Sequence, residues 1–334
     1  MDLLERRLLN EFQREFPLVE RPFAVLGERL AAPEAWVMST LARHAAEGSV
    51  SRVGAVFRPG TIGVSTLAAM TVPEGSLGIV AQLVSAHAEV NHNYEREHAL
   101  NLWFVATAED DDKLRRVLRT IEQETGYAVI GLPLIADYYI DLGFDLNGGR
   151  KPATARAADA VVATFVLAGR DRALVARLQD GLPLVARPFA ALARTAGWRD
   201  ADSEGQVIRR VADWVDAGII KRFGIIVRHR ALGFRANAMC VWDVPAADVD
   251  RHGHALAAEP DVTLCYRHVR AGAVWPYNLF CMLHGRDRVE VETRLALLTA
   301  RHSLAAYPHA VLFSRRAFKQ RGARYVEATE AASG

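Results

Sequence analysis

The chain repeats itself, and this constrains its fold more than any other feature. "PLVERPFAVL" at 17–26 returns as "PLVARPFAAL" at 183–192, an offset of 183 − 17 = 166 residues, and "SRVGAVFR" at 51–58 returns as "KRFGIIVR" at 221–228. A duplicated chain must build each half from the same order of elements, and its halves tend to meet through equivalent surfaces. Between them, "DLNGGRKPATARAADA" at 145–160 is rich in Gly, Ala and small polar residues and carries a proline, the composition of a linker. The boundary is placed at 145–170.

Each half opens with helical patterns and a short β-rich run. In "EGQVIRRVADWVDAGIIKRFG", Val207, Val211, Trp214 and Val215 fall at i, i+4, i+7 and i+8, and Gly218 stands where a helix stops. Compact helices followed by a strand predict a winged helix-turn-helix over 1–60 and again over 171–228. The remainder of each half, 61–144 and 229–325, reads βαββαβ. In the second half "RANAMCVWDVP", "VTLCYRHVR", "YNLFCMLHG" and "YPHAVLFSRRAF" are strands around two helices. In the first, "DDDKLRRVLRTIEQETG" is the clearest helix, with Leu114, Val117, Leu118 and Ile121 on one face and three Asp at the start, where the helix dipole favours them. The predicted class is α+β: a tandem duplication of a winged helix-turn-helix and a ferredoxin-like domain with helices on one face of its sheet.

Composition narrows the function. A net charge of +2 gives little electrostatic support for binding nucleic acid. The helices that would read DNA are poor in cations: "APEAWVMSTLARHAAEG" offers only Arg43, and "SEGQVIRRVADWVDAG" sets Arg209 and Arg210 against Glu204, Asp213 and Asp216. No apolar run approaches the roughly 20 residues that span a bilayer, and the start is amphipathic and charged rather than a signal peptide, so the expectation is a cytoplasmic protein without a membrane partner. Cys240, Cys265 and Cys281 lie in strand-like surroundings without metal-ligand spacing and are expected to be buried free thiols.

The motifs carry a more specific signal. The domain order resembles the Lrp/AsnC family of regulators, but "HNYEREHALNLWF" (92–104), "RFGIIVRHRALGFRANAMCVWDVP" (222–245) and "CYRHVRAGAVWPYNLFCMLHG" (265–285) resemble the AsnC-related siroheme decarboxylases of haem d1 and alternative haem biosynthesis, in their fused D/L form. The resemblance spans both halves. It implies removal of carbon dioxide from two acetate side chains of siroheme, giving didecarboxysiroheme, with no added cofactor because the iron belongs to the substrate. It also implies siroheme, homologous subunits or a second copy as partners. The alternatives are an Lrp/AsnC-type transcriptional regulator and a haem-binding sensor or carrier.

A flat macrocycle with eight carboxylates needs apolar faces and cationic donors at its rim. Arg96, Arg228, Arg230 and Arg267 are the candidate rim donors, with Arg58, Arg235 and Arg270 nearby in sequence, and Tyr266, Trp275 and Tyr277, with Trp103, supply aromatic area. Decarboxylation leaves an electron pair that a protonated ring can accept, so an acid is needed. His92 and His229 are the candidates for the acid or for an axial contact to the substrate iron, and Tyr94 or Tyr266 for hydrogen-bonding or positioning the leaving acetate. Aligning the halves sets His92 against Leu264 (264 − 92 = 172), Tyr94 against Tyr266, and His229 against Pro59 (229 − 59 = 170). The halves have diverged where the chemistry lies, so the expectation is one competent pocket or two specialised ones near their contact.

Overall fold

The computed structural model describes residues 1–140, 165, 167, 169–228 and 236–326. The linker stretch 145–164 and the segment holding His229, Arg230 and Arg235 lie outside the described residues.

The first half begins with α1 (Leu3–Glu11), α2 (Pro22–Leu30), α3 (Glu34–Ala46) and β1 (Val50–Phe57); α6 (Gly169–Leu178), α7 (Pro188–Thr195), α8 (Ser203–Asp216) and β6 (Ile220–Val227) repeat them. Local chemistry sets the ends. The Asp2 side chain accepts from Glu5 N while Glu5 reaches back to Asp2 N, and α2 and α7 each start on a proline, whose missing N–H costs a first turn nothing. The two wing strands pair with each other, β1 antiparallel to β6, with Gly54 opposite Gly224. A Cβ at Gly54 would lie 3.0 Å from Gly181 Cα, and one at Gly224 would lie 2.5 Å from Gln13 O, so glycine at these places lets the segments that follow α6 and α1 run close beside the ribbon. The cations of the would-be reading helices are taken up internally: Arg43 by Glu5 and Glu47, Arg209 by Asp202, and Arg210 by Asp171.

The rest of the first half is β2 (Val64–Met70), α4 (Glu74–Ala86), β3 (Val90–Arg96), β4 (Leu102–Ala108), α5 (Asp111–Thr125) and β5 (Ile130–Ile140). The second is β7 (Ala236–Trp242), α9 (Val249–Ala258), β8 (Val262–His268), β9 (Leu279–Gly285), α10 (Arg288–Arg301) and β10 (His309–Gln320). The Asp110 side chain caps α5 by accepting from Lys113 N at 2.7 Å, and Gly126 ends it in the left-handed conformation.

The two ferredoxin-like sheets are not separate. They close into one barrel in the order β10-β3-β4-β2-β5-β8-β9-β7. Each final strand crosses over. β5 pairs with β2 through Ile130–Pro133 and then with β8 through Leu134–Ile140, while β10 pairs with β7 through His309–Phe313 and then with β3 through Ser314–Gln320. Pro133 has no N–H to give β2, and the ladder changes partner there. Alternation along the strands sends one set of side chains outward onto α4 and α5 or onto α9 and α10, and the other set inward, where Trp103, Met239, Trp275 and Phe280 form a shared core. Cys240, Cys265 and Cys281 are buried free thiols on the α9/α10 side. No helix among the described residues is long and apolar enough to cross a membrane.

The crossing of β5 is locked by Tyr138, which lies against α9 and donates its hydroxyl to Asp250. A Cβ at Gly253 would meet the Tyr138 ring at 2.2 Å. Gly253→Ala should therefore destabilise the protein by about 1–3 kcal/mol, read as a lower midpoint in thermal unfolding; an unchanged midpoint would contradict this packing.

Candidate functional site

Between the β1/β6 ribbon and the barrel lies a cavity whose empty space, its mouth included, is about 1970 Å³. The ribbon contributes Arg52, Val56 and Ile226. The barrel contributes His92, Tyr94 and Arg96 from β3, Leu264, Tyr266 and His268 from β8, and Phe280, Met282 and His284 from β9, and the segment 320–325 after β10 completes the wall. Both halves therefore line one space. Arg52, Arg96, Arg228 and Arg321 stand in its wall, and no Asp or Glu is found among the described lining residues.

His92 sits on β3 with its ring nearly parallel to that of Tyr94, at an interplanar angle of 9° and a centroid separation of 6.1 Å, and the Tyr94 hydroxyl is 3.4 Å from His92 Nδ1. Burial, followed by the Arg52 guanidinium, lowers the His92 pKa to about 4. The imidazole is thus neutral at neutral pH. Next along the strand, the Arg96 guanidinium lies 5.5 Å from the centroid of the Tyr94 ring and donates to Leu312 O at 3.1 Å.

The second half answers with different chemistry at the same places. His268 is the counterpart of Arg96 (268 − 96 = 172), and as Arg96 binds Leu312 O, His268 Nδ1 binds the carbonyl of the equivalent leucine, Leu132 (312 − 132 = 180), at 2.8 Å. That bond fixes the Nδ1–H tautomer and leaves Nε2 as the nitrogen able to accept. Burial lowers the His268 pKa to about 4 as well. His284 Nδ1 is 3.0 Å from Thr263 Oγ1, whose own proton goes to Met282 O. Burial raises the pKa of Tyr266 and of Tyr325.

Of the residues expected at the site, the structure gathers His92, Tyr94, Arg96, Arg228 and Tyr266 in the cavity wall. Three others stand elsewhere. Arg267 alternates with Tyr266 and His268, so it faces outward and pairs with Asp250 at 3.1 Å. Trp275 is fully buried in the barrel core, its ring 4.7 Å from that of Trp103, because its loop folds back on itself through reciprocal backbone bonds between Ala271 and Trp275. Tyr277 packs on Trp275 at 5.0 Å and is not part of the wall. Of the others near them in sequence, Arg270 is bound by Asp243 at 2.6 Å, and Arg58 donates to Gly218 O at 3.2 Å. His229 and Arg230 are outside the described residues. Sequence reasoning missed Arg52, His268 and Arg321. The repeat does contain a signal for Arg52, which matches Arg222 in "SRVG" and "KRFG".

The fold and cavity can be set beside known proteins. The family model for the siroheme decarboxylase NirDL-like HTH domain matches residues 5–50 and 171–221, and that for the AsnC-like ligand binding domain matches 61–138 and 231–319. The chain is 47% identical over 327 residues to the siroheme decarboxylase NirDL subunit of Paracoccus denitrificans, covering 98% of each. It is similar to the crystal structure of the siroheme decarboxylase NirDL, with a TM-score of 0.70 and 26% identity over 96% of this chain and 94% of that one. It is also similar to the same enzyme in complex with an iron-uroporphyrin III analogue, with a TM-score of 0.68 and 25% identity over 96% and 93%. Full-length identity at this level, with both kinds of domain matched twice, shows that the chain belongs to the siroheme decarboxylase family.

Proposed function

We propose that this chain is a carboxy-lyase that converts siroheme to didecarboxysiroheme in haem d1 or alternative haem biosynthesis, acting in the cytoplasm. One observation carries the reading beyond family membership: a large cavity walled by Arg52, Arg96, Arg228 and Arg321, with apolar and aromatic faces and no acidic side chain among the described lining residues. Such a wall suits a broad apolar ring with many carboxylates. The iron arrives as part of the substrate, and the reaction as proposed draws on no further cofactor.

Each acetate –CH2–COO⁻ becomes –CH3. The bond to the carboxyl carbon breaks, its electron pair passes into a ring that has taken up a proton, and carbon dioxide leaves; the exocyclic methylene so formed takes up a proton as the ring gives its own back, so one proton is consumed per acetate. The reacting carboxylate loses its charge in the transition state, so an arginine clamped on it would stabilise the ground state more. The guanidiniums are therefore assigned to the spectator carboxylates. His92 is assigned to the proton or to the iron, with Tyr94 beside it to orient the imidazole or the leaving acetate; His229 keeps the same pair of roles on its motif alone. Bound carboxylates would offset Arg52, the lesser of the two causes that lower the His92 pKa, and so raise its proton affinity. Homologous subunits or a second copy are the proposed protein partners, since the relatives are themselves named as subunits.

Incubation with siroheme under anaerobic conditions should yield a product lighter by two carbon dioxide units, by mass spectrometry. His92→Ala should reduce turnover by about 10²–10⁴ while the protein stays folded; turnover at the wild-type rate would remove His92 from the mechanism. A second expectation concerns pH. Between about 6.5 and 4 the unfolded chain protonates imidazoles that the folded protein holds neutral, so stability falls as pH falls through this window. His92→Gln should flatten that dependence in chemical denaturation of the unliganded protein, and a slope equal to wild type would contradict the buried neutral imidazole.

A further inference from the structure

The ribbon carries a cation whose charge no described residue answers. Arg222, on β6, is only 8% exposed, and neither Nη1 nor Nη2 has a hydrogen-bond partner among the described residues. The charges acting on it are guanidiniums, Arg14 and Arg52, and burial followed by their repulsion lowers its pKa to about 9. Its counterpart in the repeat is Arg52 (222 − 52 = 170), which lines the cavity, and whose Nε likewise lacks a partner among the described residues. Across the ribbon Arg52 stands opposite Ile226 and Arg222 opposite Val56; Arg52, Val56 and Ile226 belong to the cavity wall, and Arg222 lies beside them without itself lining it. Strand alternation puts Arg222 on the same face as Ile226. Half-buried Arg210, by contrast, is held by Asp171. Arg222 has no such carboxylate among the described residues, and a buried guanidinium without one is costly to the fold.

We propose that Arg222 is a substrate-binding residue: with Arg52 it forms a pair of cations, one from each half, that receives carboxylates of the macrocycle. This rests on the reading of the cavity as a tetrapyrrole site. Among the described residues nothing compensates this charge and the ligand supplies its counter-ion, so stability is given up in the free protein for affinity in the bound one. The geometry makes Arg222 a positioning residue, acting on spectator carboxylates rather than on the reacting one.

The test uses the full chain and metal-free uroporphyrin, an octacarboxylate that reports binding without turnover. Arg222→Met, which keeps an unbranched apolar stem and removes the charge, should raise the thermal midpoint of the unliganded protein and weaken uroporphyrin binding by about tenfold or more. Arg222→Lys should keep most of the affinity, and with siroheme the Met variant should show a raised KM with little change in kcat. A lowered midpoint for Arg222→Met in the unliganded protein, or uroporphyrin affinity equal to wild type, would overturn the proposal, as would failure of the wild-type chain to bind uroporphyrin. If the wild type binds uroporphyrin, depends on Arg222 for it, and leaves siroheme unchanged, the decarboxylase reading fails while the anion site stands.

Discussion

Each half gives the end of its last strand to the other, and the rest of the architecture depends on that exchange. A ferredoxin-like sheet has two free edges, which must be covered or paired. Here β5 leaves β2 for β8 and β10 leaves β7 for β3, so four edges become two continuous ladders and the barrel closes. Closure turns the unoccupied faces of both sheets inward. One end of that interior is filled by Trp103, Trp275, Phe280 and their neighbours, and the remaining space, roofed by the β1/β6 ribbon, forms a single cavity that neither half could enclose alone.

Enclosure then sets the electrostatics. A guanidinium or imidazole in this wall has little water and, among the described lining residues, no carboxylate to answer it. Imidazoles respond by giving up their protons, as His92 and His268 do, while arginines stay charged even where burial lowers Arg52 to about 10. The wall is thus a fixed array of positive charge around neutral bases.

Much of this was legible in the sequence. The duplication, the βαββαβ order and helices such as α5 follow from strong periodicity and well-placed caps, and Asp110 and Gly126 act at the two ends as their residue types suggest. The strand exchange was not legible, because alternation identifies a strand and its faces but not its partner. That gap explains the errors at the site. Tyr266 and Arg267 were both expected to face substrate, although adjacent residues of one strand point to opposite sides, and only knowledge of which side holds the cavity selects Tyr266 and the unremarked His268. Arg52 escaped notice because the wing strand was read as part of the helix-turn-helix scaffold. Trp275 was read as a ring-stacking surface, and its loop instead tucks it into the core.

A crystal structure of this chain with an iron-uroporphyrin bound would show the site at work. One macrocycle is expected in the cavity between ribbon and barrel, with spectator carboxylates on Arg52, Arg228 and Arg321 and the ring face toward His92. A macrocycle seated outside the barrel, or one whose carboxylates avoid these arginines, would contradict this assignment of the site.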